Sequence, residues 1–117
     1  RSVIPWLFSG TLPDFNIGTD GGRTCAPEIE RVVRRICEGS GRPTVVNGRF
    51  RGGWTTRHYG RPERGVHALQ MELAQISHLV REEPPFVLDS DRSMSLRTSL
   101  GEILAALVDL SPRLASR

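Results

Sequence analysis

The clearest hydrophobic pattern in the chain lies in residues 27–38, where apolar side chains recur at the spacing of an α-helix. Pro27 suits the first helical turn, and Gly39 can end the helix after its last turn. The apolar positions, at i, i+3, i+4, i+7 and i+8, are Ile29, Val32, Val33, Ile36 and Cys37. The spacing predicts an amphipathic helix over 27–38 with one buried face.

Short strands are predicted on either side of this helix. Residues 15–18, FNIG, precede the turn signal Asp20-Gly21-Gly22, and residues 44–47, TVVN, are rich in β-branched side chains. A second amphipathic helix is predicted over about 95–110. Its apolar positions are Leu96, Leu100, Ile103, Leu104 and Leu107. Strand, helix and strand in succession indicate the α/β class.

Two segments resist assignment from periodicity. Residues 48–65 contain no evident helix or strand, and a loop of about 18 residues is usually functional or disordered; its three aromatic side chains argue against disorder. Residues 66–73 have the composition of a helix. As a strand they would place Gln70 and Glu72 on one face and His67 on the other. The pattern alone leaves both alternatives open.

Composition bounds the class of protein. With 117 residues and 38% hydrophobic content, residues 1–117 are expected to form one domain that buries about two-thirds of its unfolded surface. No apolar run approaches the roughly 20 residues of a membrane helix, so we expect a soluble protein. The two cysteines, near opposite ends of the first helix, are too far apart to bridge, which indicates a reducing, cytoplasmic setting.

The charge invites a nucleic-acid partner but does not support one strongly. The formal net charge is +3, and all 16 basic residues are arginine. Codon bias in a GC-rich genome produces such a composition without selection for phosphate binding. A nucleic-acid interface needs basic residues clustered on one face, so this class is the least favoured of those considered.

Candidate chemistry is concentrated in residues 56–73, TRHYGRPERGVHALQMEL. In the last eight residues polar side chains are interspersed with Val, Ala, Leu and Met, so some polar groups there are directed inward and need partners. Such a stretch is either a structural polar network or part of a site. Asn16 and Thr19 are further polar candidates for a ligand contact, although a local turn role is the simpler interpretation of Asn16.

The same stretch and its flanks resemble the C-terminal half of the N-formylglutamate amidohydrolases, also called N-formylglutamate deformylases. The resemblance runs from RSVIPWLFSGTLPDFNIGT through NGRFRGGWTTRHYGRPERGVHALQMELAQ to the final helix, and NGRF, TRHYG and HALQMEL occur in that order. It implies a mixed α/β sheet flanked by helices, as part of a fold like that of zinc carboxypeptidases and aspartoacylase. It also implies that residues 66–73 are a strand, followed by a short helix from about Ala74.

The resemblance implies hydrolysis of N-formyl-L-glutamate to formate and L-glutamate, a step of histidine degradation. By motif position, Glu72 is the expected general base, which takes a proton from a zinc-bound water and passes it to the departing amine. Without the resemblance, a solvated carboxylate or a buried salt bridge would be the favoured interpretation of Glu72.

Several residues are expected to bind the substrate. Arg57 is the candidate for gripping a carboxylate, because a guanidinium can make two parallel hydrogen bonds to it. Tyr59 could cover the substrate or donate to the forming oxyanion, with local packing as the simpler alternative. Arg49 and Arg51 are weaker candidates for the carboxylate, and Asn47 is expected to help position it.

His67 and Gln70 are expected to hold the catalytic and substrate-binding residues in position without contacting the substrate themselves. His67 is a less favoured metal ligand, because a lone histidine on a strand is more often a hydrogen-bonded core residue. His58 and His78 are expected to be exposed, and His78 departs from the tyrosine expected there in the family.

The zinc ligands implied by the resemblance, two histidines and a carboxylate, have no counterpart here, because the sequence contains no HxxE or HxH pair. We therefore expect no metal ligand on this chain, and an incomplete enzyme that is inactive without an upstream half. The alternative from another class is a non-catalytic module that covers its missing half by forming a homodimer.

Overall fold

A mixed three-stranded sheet in the order β2-β1-β3 forms the centre of the computed structural model, which describes residues 1–115. The strands are β1 (Phe15–Gly18), β2 (Thr44–Val46) and β3 (Gln70–Leu73). β2 runs parallel to β1, and β3 runs antiparallel to it. The predicted α/β class with a mixed sheet is confirmed.

Three helices accompany the sheet: α1 (Pro27–Gly39), α2 (Trp54–Tyr59) and α3 (Ser90–Ala115). The prediction of α1 is confirmed. α3 extends beyond the predicted 95–110 at both ends. Its start was missed because the first turn carries polar residues that give no hydrophobic period. Asp89 fixes that start, since its Oδ1 accepts a hydrogen bond of 2.9 Å from the Arg92 N–H.

The register between β1 and β3 sorts the side chains onto two faces. Phe15 lies opposite Leu73, and Ile17 lies opposite Met71. These four residues share one apolar cluster with residues of both long helices, among them Val33, Cys37, Leu96 and Ile103. The other face carries Asn16 opposite Glu72 and Gly18 opposite Gln70.

The strand expected over residues 66–73 is correct only for Gln70–Leu73. β1 is four residues long, so its pairing with β3 ends where Gly18 meets Gln70. Upstream of that point the backbone bonds to loops, as when the Ala68 N–H donates to the Thr24 carbonyl at 2.9 Å. The short helix expected from Ala74 is a single 3-10 turn, Gln75–Ser77.

The segment 48–65 is not the structureless loop that the sequence suggested. It contains α2 and a 3-10 turn, Pro62–Arg64. The flanking glycines and the six-residue length of α2 hide it from periodicity. Within α2 the rings of Trp54 and His58, one turn apart, stack with centroids 4.2 Å apart.

Both cysteines are buried free thiols. Burial raises the pKa of each to about 11, with a smaller contribution from the charge of a neighbouring glutamate, Glu30 for Cys25 and Glu38 for Cys37. The thiolate is therefore scarce at neutral pH.

No helix within residues 1–115 combines the length and apolar character needed to cross a membrane.

A carboxylate fastens the N-terminal segment to the loop before α3. Glu82 accepts hydrogen bonds from the Ser2 N–H at 2.7 and 2.8 Å, from the Ser2 hydroxyl at 2.9 Å and from the Ile76 N–H at 3.0 Å. Partial burial opposes ionisation, but these donors outweigh it and hold the pKa of Glu82 below its ordinary value. Ionised Glu82 therefore stabilises the folded state.

We expect Glu82→Gln to lower the free energy of unfolding by about 1–3 kcal/mol at pH 7, because the donors lose a charged acceptor. The folded pKa lies below the unfolded one, so the stabilisation is complete above the unfolded pKa and disappears as pH falls through the folded value. Urea unfolding at pH 7 and pH 3 measures the difference. Glu83→Gln, at an exposed neighbour, is the control; a loss equal at both pH values would contradict the prediction.

Candidate functional site

Glu72 lies on the face of the sheet turned away from α1 and α3. It is partly buried on β3, and its backbone carbonyl accepts a hydrogen bond of 3.3 Å from Asn16 Nδ2. Its carboxylate makes no hydrogen bond or ion pair with any other residue in 1–115. A partly buried carboxylate without a partner is energetically costly, and it is available to a proton donor or a ligand.

Asn16 is the direct cross-strand neighbour of Glu72 and is 1% exposed. Its amide nitrogen donates to the Pro13 carbonyl at 2.8 Å as well as to the Glu72 carbonyl. Its Oδ1 is buried and has no hydrogen-bond partner among the described residues. An unpaired buried acceptor costs about 1–3 kcal/mol. The amide nitrogen is therefore occupied and Oδ1 is buried, so this arrangement exposes neither polar atom of Asn16, a predicted substrate-binding residue, to a substrate.

Gln70 fastens α2 to this face of the sheet. Its Oε1 accepts a hydrogen bond of 2.7 Å from the Gly53 N–H, just before α2, and a longer one of 3.4 Å from the Thr56 hydroxyl. Gln70 and Glu72 are two residues apart on one strand, so their side chains lie on the same face. The residue that anchors α2 is therefore a neighbour of the candidate base.

Gly18, opposite Gln70 in the register, leaves room for the loop before α2. A β-carbon at Gly18 would lie 2.8 Å from the carbonyl carbon of Arg51. The Arg51 carbonyl also accepts a hydrogen bond of 2.6 Å from the Asp20 N–H. The backbone of residues 51–53 is thus held against the sheet between Asp20 and Gln70.

Arg57 and Tyr59, the predicted substrate-binding residues of α2, are both exposed. Arg57 donates a hydrogen bond of 3.3 Å to the Gly52 carbonyl and makes no ion pair with another described residue. The Tyr59 ring packs edge-on against Trp54 and His58, with centroids 6.2 and 4.8 Å away. The Arg57 guanidinium is therefore available for a carboxylate, whereas Tyr59 belongs to an aromatic cluster.

The carboxylate of Asp20 lies in a positive electrostatic potential near the start of α2. The hydrogen bonds from Arg23, 3.1 and 3.2 Å long, hold the pKa of Asp20 below its ordinary value against a smaller effect of burial. The charges of Arg57 and Arg51 lower it further. Three guanidinium groups thus act on one carboxylate, so this region retains an excess of positive charge.

Asn47 is committed to the fold through both polar atoms of its side chain. Its Oδ1 accepts from the Thr19 N–H and its Nδ2 donates to the Thr19 hydroxyl, each at 2.9 Å. That hydroxyl donates to the Glu30 carboxylate at 2.7 Å. The link joins residues 28 apart, and nothing in the sequence pattern indicated it. Arg49, by contrast, is exposed.

His67 lies away from Glu72, at the start of α1. Its Nδ1 accepts a hydrogen bond of 3.0 Å from the Ala26 N–H, so Nδ1 carries no proton in this arrangement. The ring lines a largely apolar cavity of about 610 Å³ that also contacts Tyr59 and Leu107 but not Glu72. The structure therefore separates His67 from the candidate base and places Gln70 beside it.

The potential metal ligands among residues 1–115 are dispersed. Within residues 1–115, no three His, Cys, Asp or Glu side chains come close enough together to hold a metal ion. A catalytic zinc site takes three protein ligands and a water. The described residues do not fit a zinc site by themselves.

Comparisons with known proteins agree on one family. The sequence model of the N-formylglutamate amidohydrolase family matches residues 1–79. Two curated relatives, from Pseudomonas aeruginosa and Pseudomonas putida, are both named N-formylglutamate deformylase and are 44% identical to this chain over 109 residues. Each match covers 92% of this chain but only 41% and 40% of the two relatives. The chain therefore spans about two-fifths of their length.

A solved structure supports the fold. The crystal structure of N-formylglutamate amidohydrolase from Ralstonia eutropha JMP134 superposes with a TM-score of 0.77 at 23% sequence identity. The superposition covers 91% of this chain and 37% of that one. The arrangement of strands and helices described above is therefore also found in that enzyme.

The role of Asn47 can be tested by substitution. Its φ angle is 52°, in the region that favours glycine, so Asn47→Ala loses the Thr19 hydrogen bonds and adds backbone strain. Asn47→Gly loses only the hydrogen bonds. We expect the alanine variant to be less stable than the glycine variant by about 1 kcal/mol in urea unfolding. Equal stabilities would show that the backbone strain of alanine is no larger than the entropy that glycine adds to the unfolded chain.

Proposed function

Because the chain belongs to the N-formylglutamate amidohydrolase family, we propose that it forms the part of an amidohydrolase that carries the general base and the carboxylate-binding groups. The proposed reaction is hydrolysis of N-formyl-L-glutamate to formate and L-glutamate. The names of the two Pseudomonas relatives support the substrate. We also propose that the complete protein has a fold like that of zinc carboxypeptidases and aspartoacylase.

The observation that carries the proposal is the state of Glu72. Its carboxylate is partly buried on a sheet strand and has no hydrogen-bond or ion-pair partner in residues 1–115. A structural carboxylate in such a position would normally be paired. An unpaired carboxylate on a sheet strand suits a general base, because its oxygens are free to accept a proton and the sheet fixes its backbone.

In the proposed mechanism, Glu72 accepts a proton from a water molecule as the water oxygen attacks the formyl carbon. The C–N bond then breaks, and Glu72 donates that proton to the nitrogen of the departing amine. Formate and glutamate leave, and Glu72 returns to the ionised state. One carboxylate thus serves as base and then as acid.

Arg57 is proposed to hold one of the two substrate carboxylates. It lies on α2, whose start is bonded to the strand that carries Glu72, and it is not neutralised by an ion pair within residues 1–115. The neighbouring positive charge of Arg51 adds to the attraction for a dicarboxylate. Arg49 remains a weaker candidate for the same task.

The family resemblance implies zinc, which would polarise the formyl oxygen and activate the water. Since the described residues offer no such donor set, we assign the zinc ligands to polypeptide outside this chain. On this proposal the isolated chain is inactive, and activity requires the segments that the longer relatives contain.

The proposal is testable in a chimera in which this chain replaces the matching 109-residue segment of the Pseudomonas aeruginosa relative. The chimera should release formate from N-formyl-L-glutamate. Glu72→Gln should lower kcat by about a hundredfold to ten-thousandfold, because an amide cannot accept the proton. The matched control is Glu63→Gln, at an exposed glutamate of the Pro62–Arg64 turn. Unchanged kcat in Glu72→Gln would remove Glu72 from the mechanism.

The role of Arg57 predicts a different kinetic signature. Arg57→Lys keeps the charge but loses the paired hydrogen bonds, so KM should rise by about tenfold, and Arg57→Ala should raise it further. Initial rates over a range of N-formyl-L-glutamate concentrations measure both constants. Arg64→Ala, at an exposed arginine that makes no ion pair within residues 1–115, is the control. A KM unaffected by both Arg57 variants would exclude this carboxylate contact.

A further inference from the structure

Gln70 occupies the point where the candidate base and the candidate carboxylate-binding helix meet. It is on β3, two residues before Glu72, and it accepts the Gly53 N–H at 2.7 Å at the start of α2. The Gln70 side chain therefore links the strand that carries the candidate base to the start of the helix that carries Arg57.

Two further contacts hold the loop that precedes α2. Opposite Gln70, the missing side chain of Gly18 lets the backbone of Arg51 and Gly52 approach the sheet to within contact distance. Two residues after Gly18, the Asp20 N–H donates to the Arg51 carbonyl at 2.6 Å. These contacts hold the loop against the sheet, so the Gly53 N–H points at Gln70 Oε1 and the start of α2 has a fixed position relative to the sheet.

Gln70 accepts the two hydrogen bonds that join the first turn of α2 to the sheet. The helix has only six residues, and its N-cap, Gly53, supplies no side-chain hydrogen bond. So short a helix is not stable by itself and depends on tertiary contacts. The second contact, from the Thr56 hydroxyl at 3.4 Å, also ends on Gln70 Oε1.

We propose that Gln70 is a positioning residue, which fixes α2 on the sheet and so sets the distance between the Glu72 carboxylate and the Arg57 guanidinium. The inference rests on the proposed function for the roles of those two groups. It adds a specificity determinant, because recognition of a carboxylate at a fixed distance from the scissile bond selects substrates by length. A shift of about 1 Å between the two groups would impair catalysis.

The first test uses the chain itself and is independent of activity. Gln70→Met has a similar length but no strong acceptor, so amide-proton exchange at Gly53, followed by NMR, should accelerate by about tenfold. Gln70→Glu keeps an acceptor at the same reach and should preserve the protection. Met71→Ala, on the opposite face of the same strand, controls for general loss of stability. Unchanged exchange at Gly53 in Gln70→Met would overturn the proposal.

The second test uses the chimera and three substrates: N-formyl-L-glutamate and its two monoamides, one at the side-chain carboxylate and one at the α-carboxylate. Arg57→Ala should reduce the preference for the diacid over one amide by about 10- to 100-fold, which identifies the carboxylate that Arg57 binds. Gln70→Met should reduce the same preference by at least threefold. In the double variant the effect should not exceed that of Arg57→Ala.

The outcomes separate the inference from the proposed function. An inactive wild-type chimera would contradict the function and leave the exchange experiment to decide the role of Gln70. An active chimera in which Gln70→Met slows all three substrates equally, or adds its full effect to that of Arg57→Ala, would overturn the positioning role. Met71→Ala should lower stability without changing the substrate preference. If Gln70→Met does not fold, Gln70→Asn, whose acceptor is one methylene too short, replaces it.

Discussion

The antiparallel register between β1 and β3 determines which side chains of the sheet pack against the helices and which face the candidate site. Phe15 opposite Leu73 and Ile17 opposite Met71 direct four apolar side chains beneath the helices. The alternate positions then direct Asn16, Glu72 and Gln70 to the other face. A slip of one residue would exchange the two sets, burying a carboxylate in the apolar cluster and exposing the core. The burial of the apolar set therefore also fixes the direction of the candidate base.

The same register links the sheet to α2, the helix that carries Arg57. Gly18 is the residue opposite Gln70 in this register. Because Gly18 has no side chain, the backbone of Arg51 and Gly52 can approach the sheet at this point. Arg57 is thereby carried on an element whose position depends on the strand of Glu72. Arg23 is the main cause of the lowered pKa of Asp20, and the charges of Arg57 and Arg51, on the same helix and loop, lower it further. Packing and electrostatics thus converge on one face of the sheet.

Local patterns predicted the parts of the fold that local interactions decide. α1 follows from its hydrophobic spacing, and β1 and β2 follow from β-branched or apolar residues bounded by turns. β3 could not be chosen over a helix from propensity, because Gln70, Met71, Glu72 and Leu73 all favour helix; the family resemblance indicated a strand, and pairing with β1 limits it to those four residues. α2 was missed because contacts 14 and 17 residues away in sequence, both to Gln70, hold it.

The candidate site was predictable as a set of residues but not as an arrangement. The motifs named Glu72, Arg57 and Gln70, yet no spacing reveals that Gln70 bonds to the start of α2. Nor does any pattern show that Thr19 occupies both polar atoms of Asn47, although an asparagine between a strand and Gly48 is typical of a left-handed backbone position. His67 was expected in a supporting role, on the opposite face of the strand from Glu72, and no pattern showed that its ring accepts a hydrogen bond from the Ala26 N–H at the start of α1.

The two buried thiols allow local opening of the structure to be measured at two places. Cys37 belongs to the apolar cluster beneath the sheet, and Cys25 belongs to a smaller cluster with Ile29 and Leu114 at the end of α3. Because each thiol is shielded and hard to ionise, a reagent such as an alkylating dye can modify it only when its own cluster opens. The two modification rates would therefore measure the opening of the sheet core and of the helix terminus separately, without an additional cysteine having to be introduced.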